Sequence, residues 1–191
     1  MLGKIKIKIF VIALTAALMT LISTSTLAYY STVGRATNVV TSGNIRFIIH
    51  ERTDHGKEFP KEGVYIVPGD IVSKEVTIEN DCGHPFYLRV KMVYGVNAQE
   101  LSAEDCFKLN INTKYWEYHD GWYYYRGIVK PGEETPYVFS HVEIVGSRVN
   151  NSYIGKTLTL TVDAQAVQSE NNPIINGKTY TASGWPREAD Q

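Results

Sequence analysis

Apolar and polar side chains alternate along most of this chain, and a period of two places successive side chains on opposite faces of a β-strand. Between Val72 and Asn80, Val72, Val76 and Ile78 make one face while Ser73, Glu75, Thr77 and Glu79 make the other. Phe86, Leu88, Val90 and Met92 stand against Tyr87, Arg89 and Lys91, and Phe107, Leu109 and Ile111 against Lys108, Asn110 and Asn112. The cleanest run sets Leu158, Leu160, Val162, Ala164 and Ala166 against Thr157, Thr159, Thr161, Asp163 and Gln165. Such strands belong to antiparallel sheets covered on one side, and several at this spacing predict two sheets packed face to face. The expected fold is all-β: an antiparallel β-sandwich over residues 45–168, opening with an apolar strand at Ile45–Ile49.

Turn chemistry agrees. Asp120-Gly121 between Tyr115–His119 and Trp122–Arg126 is a strong hairpin signal. Pro68-Gly69-Asp70 and Pro131-Gly132-Glu133 read as turns before strands. The one helix candidate is short, with Ser102 capping Ala103-Glu104-Asp105 in a capping box. Beyond Gln168 the pattern dissolves, so residues 169–191 are expected to form a loose tail, with at most a short strand at Ile174–Ile175.

The first 28 residues carry a different signal. Lys4, Lys6 and Lys8 precede an apolar run from Ile9 to Ile22, which is short for a bilayer span, and the small residues Thr26 and Ala28 suit a signal peptidase. Residues 1–28 are therefore expected to be a signal peptide cut between Ala28 and Tyr29, exporting the protein. Contact with the membrane would then come only through an uncleaved leader.

Composition narrows the function. The 13 tyrosines suit strands. Of 19 basic residues against 20 acidic, three lie in the leader, so the mature chain is mildly acidic with no basic cluster. That argues against a nucleic-acid partner. Cys82 and Cys106 could be bridged in an exported protein, closing a loop of about 25 residues worth roughly 3 kcal/mol. The spacing leaves that bridge open.

No residue set specifies catalysis. His50-Glu51-Arg52-Thr53-Asp54-His55 imitates HExxH with one residue too many, and on a helix the two imidazoles would diverge by about 140°. No Gly-x-Ser-x-Gly elbow or phosphate-cradling loop is present. The expectation is no enzyme, no metal and no cofactor. The aromatic group around Trp116, Trp122, Tyr123 and Tyr125 reads either as a ladder stabilising its own hairpin or as a platform for carbohydrate or protein. In the platform reading at least one of Tyr123 and Tyr125 points to the outer face.

Four stretches together carry a resemblance. They are Thr26-Leu27-Ala28-Tyr29-Tyr30-Ser31-Thr32 with the following Ala36 to Ile45; Val67-Pro68-Gly69-Asp70 running on to Ile78-Glu79-Asn80 and Tyr94-Gly95; Gly121-Trp122-Tyr123-Tyr124-Tyr125 with Ile128 to Thr135; and Val162 to Gln168. In this order they resemble the TasA/camelysin-like secreted proteins of Gram-positive bacteria, whose leaders are cut by the signal peptidase SipW. The resemblance implies a jelly-roll-like sandwich and a role at the cell surface or in biofilm matrix. Its partners would be a SipW-like signal peptidase and then itself or related matrix subunits. It also implies self-association by donation of the mature N-terminal segment as a strand, here Tyr29 to Asn38 within residues 29–44, including Tyr30, Val33 and Ala36. The chain is shorter than the fibre-forming type and carries two cysteines where such domains often have none. Camelysin relatives have been labelled metalloproteases, and no zinc motif here supports that activity.

Overall fold

The computed structural model describes residues 45–186 in full and the backbone of 30–33 and 36–38. The leader, the cleavage junction at Ala28 and Tyr29, and the last five residues lie outside the described residues. The strands are β1 Tyr30–Val33, β2 Ala36–Asn38, β3 Phe47–Arg52, β4 Val64–Ile66, β5 Ile71–Ser73, β6 Glu75–Asn80, β7 Phe86–Val96, β8 Phe107–Leu109, β9 Trp116–His119, β10 Trp122–Tyr125, β11 His141–Ile144 and β12 Thr157–Gln168. The fold is all-β, as its alternation predicts.

The larger sheet runs β4-β1-β12-β7-β10-β9, with β2 also on β12. Its backbone is the long antiparallel pair of β7 and β12, in register from Leu158 opposite Val96 to Gln168 opposite Phe86. The remaining strands form a β5-β11-β8 sheet and a β3-β6 pair. These two are one layer in hydrogen-bonding terms. Lys74 N donates to Ser140 O, Val76 N to Phe139 O, Val138 N to Val76 O and Thr135 N to Ile78 O. The run from Val72 to Asn80, expected as one strand, thus pairs with 134–144 across a break at Lys74.

Between the layers lies one apolar core. Leu88, Val90, Leu158, Leu160 and Val162 from the large sheet meet Phe47, Val76, Ile78, Val142 and Ile144 from the other layer, all buried in one cluster. Each such side chain contributes about 1.5–3 kcal/mol on removal from water. Two mainly antiparallel layers on a shared core, the larger with β1 and β2 parallel to β12, are compatible with a β-sandwich.

Asp120 (φ 50°) and Gly121 (φ 82°) both occupy the left-handed region, the geometry a two-residue hairpin turn needs to match strand twist. Trp122 accordingly pairs with His119. The expected helix is only a 3-10 turn at Glu104–Cys106, with Ala103 at its N-cap and no side-chain cap. Ser102 contributes its carbonyl instead, accepting from the Tyr153 hydroxyl at 2.7 Å. So few residues give too few hydrogen bonds to repay helix nucleation.

Candidate functional site

The segment expected to be free for donation is already paired. β1 runs parallel to β12, Ser31 opposite Thr157 and Val33 opposite Thr159, and antiparallel to β4, Tyr30 opposite Ile66 and Thr32 opposite Val64. β2 continues along β12, Ala36 opposite Val162 and Asn38 opposite Ala164. The segment therefore fills an interior position in the large sheet. The physical reason is the edge it covers: a long unpaired β12 would expose a row of N–H and C=O groups, a template for any strand. Its pairing with β12 is parallel, whereas β7 meets the same strand antiparallel.

The aromatic residues do not form one platform. Cross-strand partners share a face, so Tyr123 opposite Val90 faces the core, whereas Tyr124 opposite Arg89 faces outward. Trp116, opposite Tyr125, is 1% exposed; its indole Nε1 donates to Tyr137 O at 3.1 Å, and its ring lies 5.4 Å from that of Tyr125. Trp122 belongs to the other face, buried beneath the Arg89 guanidinium. Trp116, Tyr123 and Tyr125 thus pack on the core side. The expectation that Tyr123 or Tyr125 points outward is corrected, because hairpin register sends odd positions of β10 inward.

That outer face is covered by the segment expected to be a loose tail. Tyr180 stacks on His119 with ring centroids 4.0 Å apart. Thr179 Oγ1 donates to Tyr125 O at 2.8 Å, and Lys178 Nζ reaches Glu117 Oε1 at 2.7 Å. That hydrogen bond holds the Glu117 carboxyl below its ordinary value, with Arg126 adding to the effect. Ala182 is buried with Tyr87 and Val167, and Trp185 packs against them. Arg89 Nη2 donates to Pro186 O at 2.7 Å. Apolar side chains on the outward face of β7 and β12 required a cover, and residues 169–186 supply it. Ile174–Ile175 is no strand: Ile175 bridges Lys178 around Asn176 (φ 51°) and Gly177 (φ 70°). The Asn-Gly pair was the sequence signal for that small hairpin.

Both cysteines are free thiols, Cys106 buried and Cys82 half-buried. Cys82 Sγ donates to His84 O at 3.3 Å, and Cys106 Sγ to Ser102 O at 3.4 Å. Burial pushes the Cys106 thiol up, so it is a poor nucleophile. The bridge that the sequence left open is not made in this structure.

His50 and His55 do not share a ligand set. His55 is exposed and lies 3.8 Å from Asp54, while His50 Nε2 lies 2.7 Å from Glu79 Oε2. Glu134 joins them, and the ligand atoms of His50, Glu79 and Glu134 all fall within 4.8 Å of one another. Arg52 and Thr77 both hydrogen-bond Glu134, and the Arg52 contact keeps that carboxyl below its ordinary value. Linear spacing missed this group because its members come from β3, β6 and the bridged segment before β11, far apart in the chain.

Comparison with protein-family models, with curated proteins and with solved structures returns no match.

Proposed function

We propose that the chain is an exported, non-enzymatic structural protein of the cell surface or biofilm matrix, built on a jelly-roll-like sandwich. It would assemble by β-strand addition in the manner of the TasA/camelysin-like proteins it resembles. The observation that carries this reading is the slot between β4 and β12, filled by β1 through backbone pairing on both sides. Exchange of that segment between copies would remake the same ladders in the neighbour while leaving the β7–β12 pairing untouched, the low-cost route to association by swapping. A leader cut at Ala28 would release the end that has to travel.

The test compares the leader-cleaved protein with a variant lacking Tyr29–Asn38. Electron micrographs should show concentration-dependent fibres for the first and none for the second. The truncated form should capture a synthetic Tyr29–Asn38 peptide in its open slot. Fibres of normal yield from the truncated chain would end the proposal. The platform reading has less support, since its four residues divide between two faces and both tryptophans are buried.

A further inference from the structure

In the layer opposite the aromatic hairpin, Glu79 of β6 forms a β-bridge with Glu134. Like charges placed directly opposite one another across strands are unfavourable, so this pair needs cations. Arg52 supplies one, bound to Glu134. The other carboxylate, among the described residues, is paired with the imidazole of His50 from the neighbouring strand β3. We propose that His50, Glu79 and Glu134 form a binding site for one zinc-class divalent cation, which clips strand β3 to β6 and to the segment 134–144.

The geometry and the donor chemistry agree on the class of ion. Ligand atoms around a tetrahedral Zn2+ stand about 3.4 Å apart, given metal–ligand bonds of about 2.1 Å. The three here lie within 4.8 Å of one another, so rotamer shifts of about an ångström close the site. An imidazole with two carboxylates suits Zn2+ over the oxygen-seeking Ca2+ and Mg2+. The ion would take the place of the direct contact between His50 Nε2 and Glu79 Oε2. Arg52 and Thr77 would keep their hold on Glu134 and orient it, as outer partners of metal ligands do. Three protein ligands leave a fourth position to water. His50 and Glu79 stand on the paired strands β3 and β6, and Glu134 is tied to β6 by its bridge to Glu79, a rigid support. β3 gains most, because among the described strands its only ladder partner is β6.

Calorimetric titration of the purified protein with ZnCl2 tests this, with CaCl2 as comparison and circular dichroism to confirm that each variant is folded. Saturable binding of one Zn2+ per chain is expected, weakened at least about tenfold in His50→Ala and in Glu79→Gln. A His84→Ala control should bind as the native chain does. Zn2+ should raise the melting temperature of the native protein and leave that of His50→Ala unchanged. Absence of saturable Zn2+ binding, undiminished binding in folded His50→Ala and Glu79→Gln, or equal binding of Ca2+ would each overturn the proposal.

Discussion

The guanidinium carbon of Arg89 lies 4.2 Å from the ring centroid of Trp122, with the indole of Trp185 4.9 Å away. Arg89 is 7% exposed, and its hydrogen-bond partners among the described residues are neutral: Gln165 Oε1, the Tyr124 hydroxyl and Pro186 O. A buried cation is tolerable only when its donors are met and its charge is faced by aromatic rings. This one joins β7, β10, β12 and the C-terminal segment in a single contact.

Arg89→Met should therefore cost about 3 kcal/mol, because three acceptors lose a charged donor. Trp185→Ala should cost about 2 kcal/mol through lost burial and cation–π contact. Both are read from urea unfolding midpoints, and limited proteolysis should cut residues 169–186 faster in each variant. Unchanged midpoints and unchanged cutting would mean that Arg89 does not anchor the segment.

Lys74 Nζ lies 2.9 Å from Glu51 Oε1 with both side chains largely buried, and the ammonium also lies 4.8 Å from the Phe59 ring centroid. Burial lowers the Lys74 pKa, against the opposing pull of Glu51. Removing one partner strands a buried charge, so Lys74→Met alone should destabilise by about 3 kcal/mol. The double variant Lys74→Met/Glu51→Leu should recover most of that loss. A double variant no more stable than the single one would count against this account.

Glu117 links the C-terminal segment to β9 through Lys178. Its folded pKa is lowered from 4.5, so the unfolded chain takes up a proton first as pH falls. The stability it lends is complete above about pH 4.5 and is lost as pH drops through the folded value. Chemical denaturation across pH 2–6 should show an acid limb that flattens in Glu117→Gln. Asp163 works in the opposite sense, since burial raises its folded pKa, and Asp163→Asn should steepen the limb. An acid limb identical in all three proteins would contradict both assignments.

The two thiols should differ in reactivity. An aromatic disulfide reagent should label half-buried Cys82 in the native protein and reach Cys106 only on unfolding. Intact mass without reductant should show both thiols present. A mass lower by two hydrogens would show instead that Cys82 and Cys106 are bridged.

The positions of β3, β6, β7, β8, β9, β10 and β12, the inward faces of β6, β7 and β12, and the hairpin turn at Asp120-Gly121 were legible in the sequence, whereas β4 and β11 were not. Each depends on neighbours a few residues apart, and alternation reports which side of a strand meets water. Lys74 shows the limit of that rule. It takes its turn in a buried series because Glu51, on another strand, receives its charge.

The aromatic cluster shows a second limit. Trp116, Trp122, Tyr123 and Tyr125 are close in the chain, yet register places Trp122 on the opposite face from the other three. Alternation separates Trp122 from Tyr123 and Tyr125, but only register decides which of those faces meets the core and seats Trp116 beside Tyr125. Residues 169–186 read as loose for a similar reason: their apolar side chains are few, and their binding surface lies on β7, β10 and β12.

Local periodicity decided that this chain folds as strands, and which side of each strand is apolar, because side-chain direction in an extended backbone depends only on position. Long-range assembly decided the rest: the seat of β1 between β4 and β12, the cover over Arg89, and the meeting of His50 with Glu79 and Glu134. Those contacts join residues dozens of positions apart. They exist only once backbone pairing and core burial have together offset the entropy of closing the loops between them.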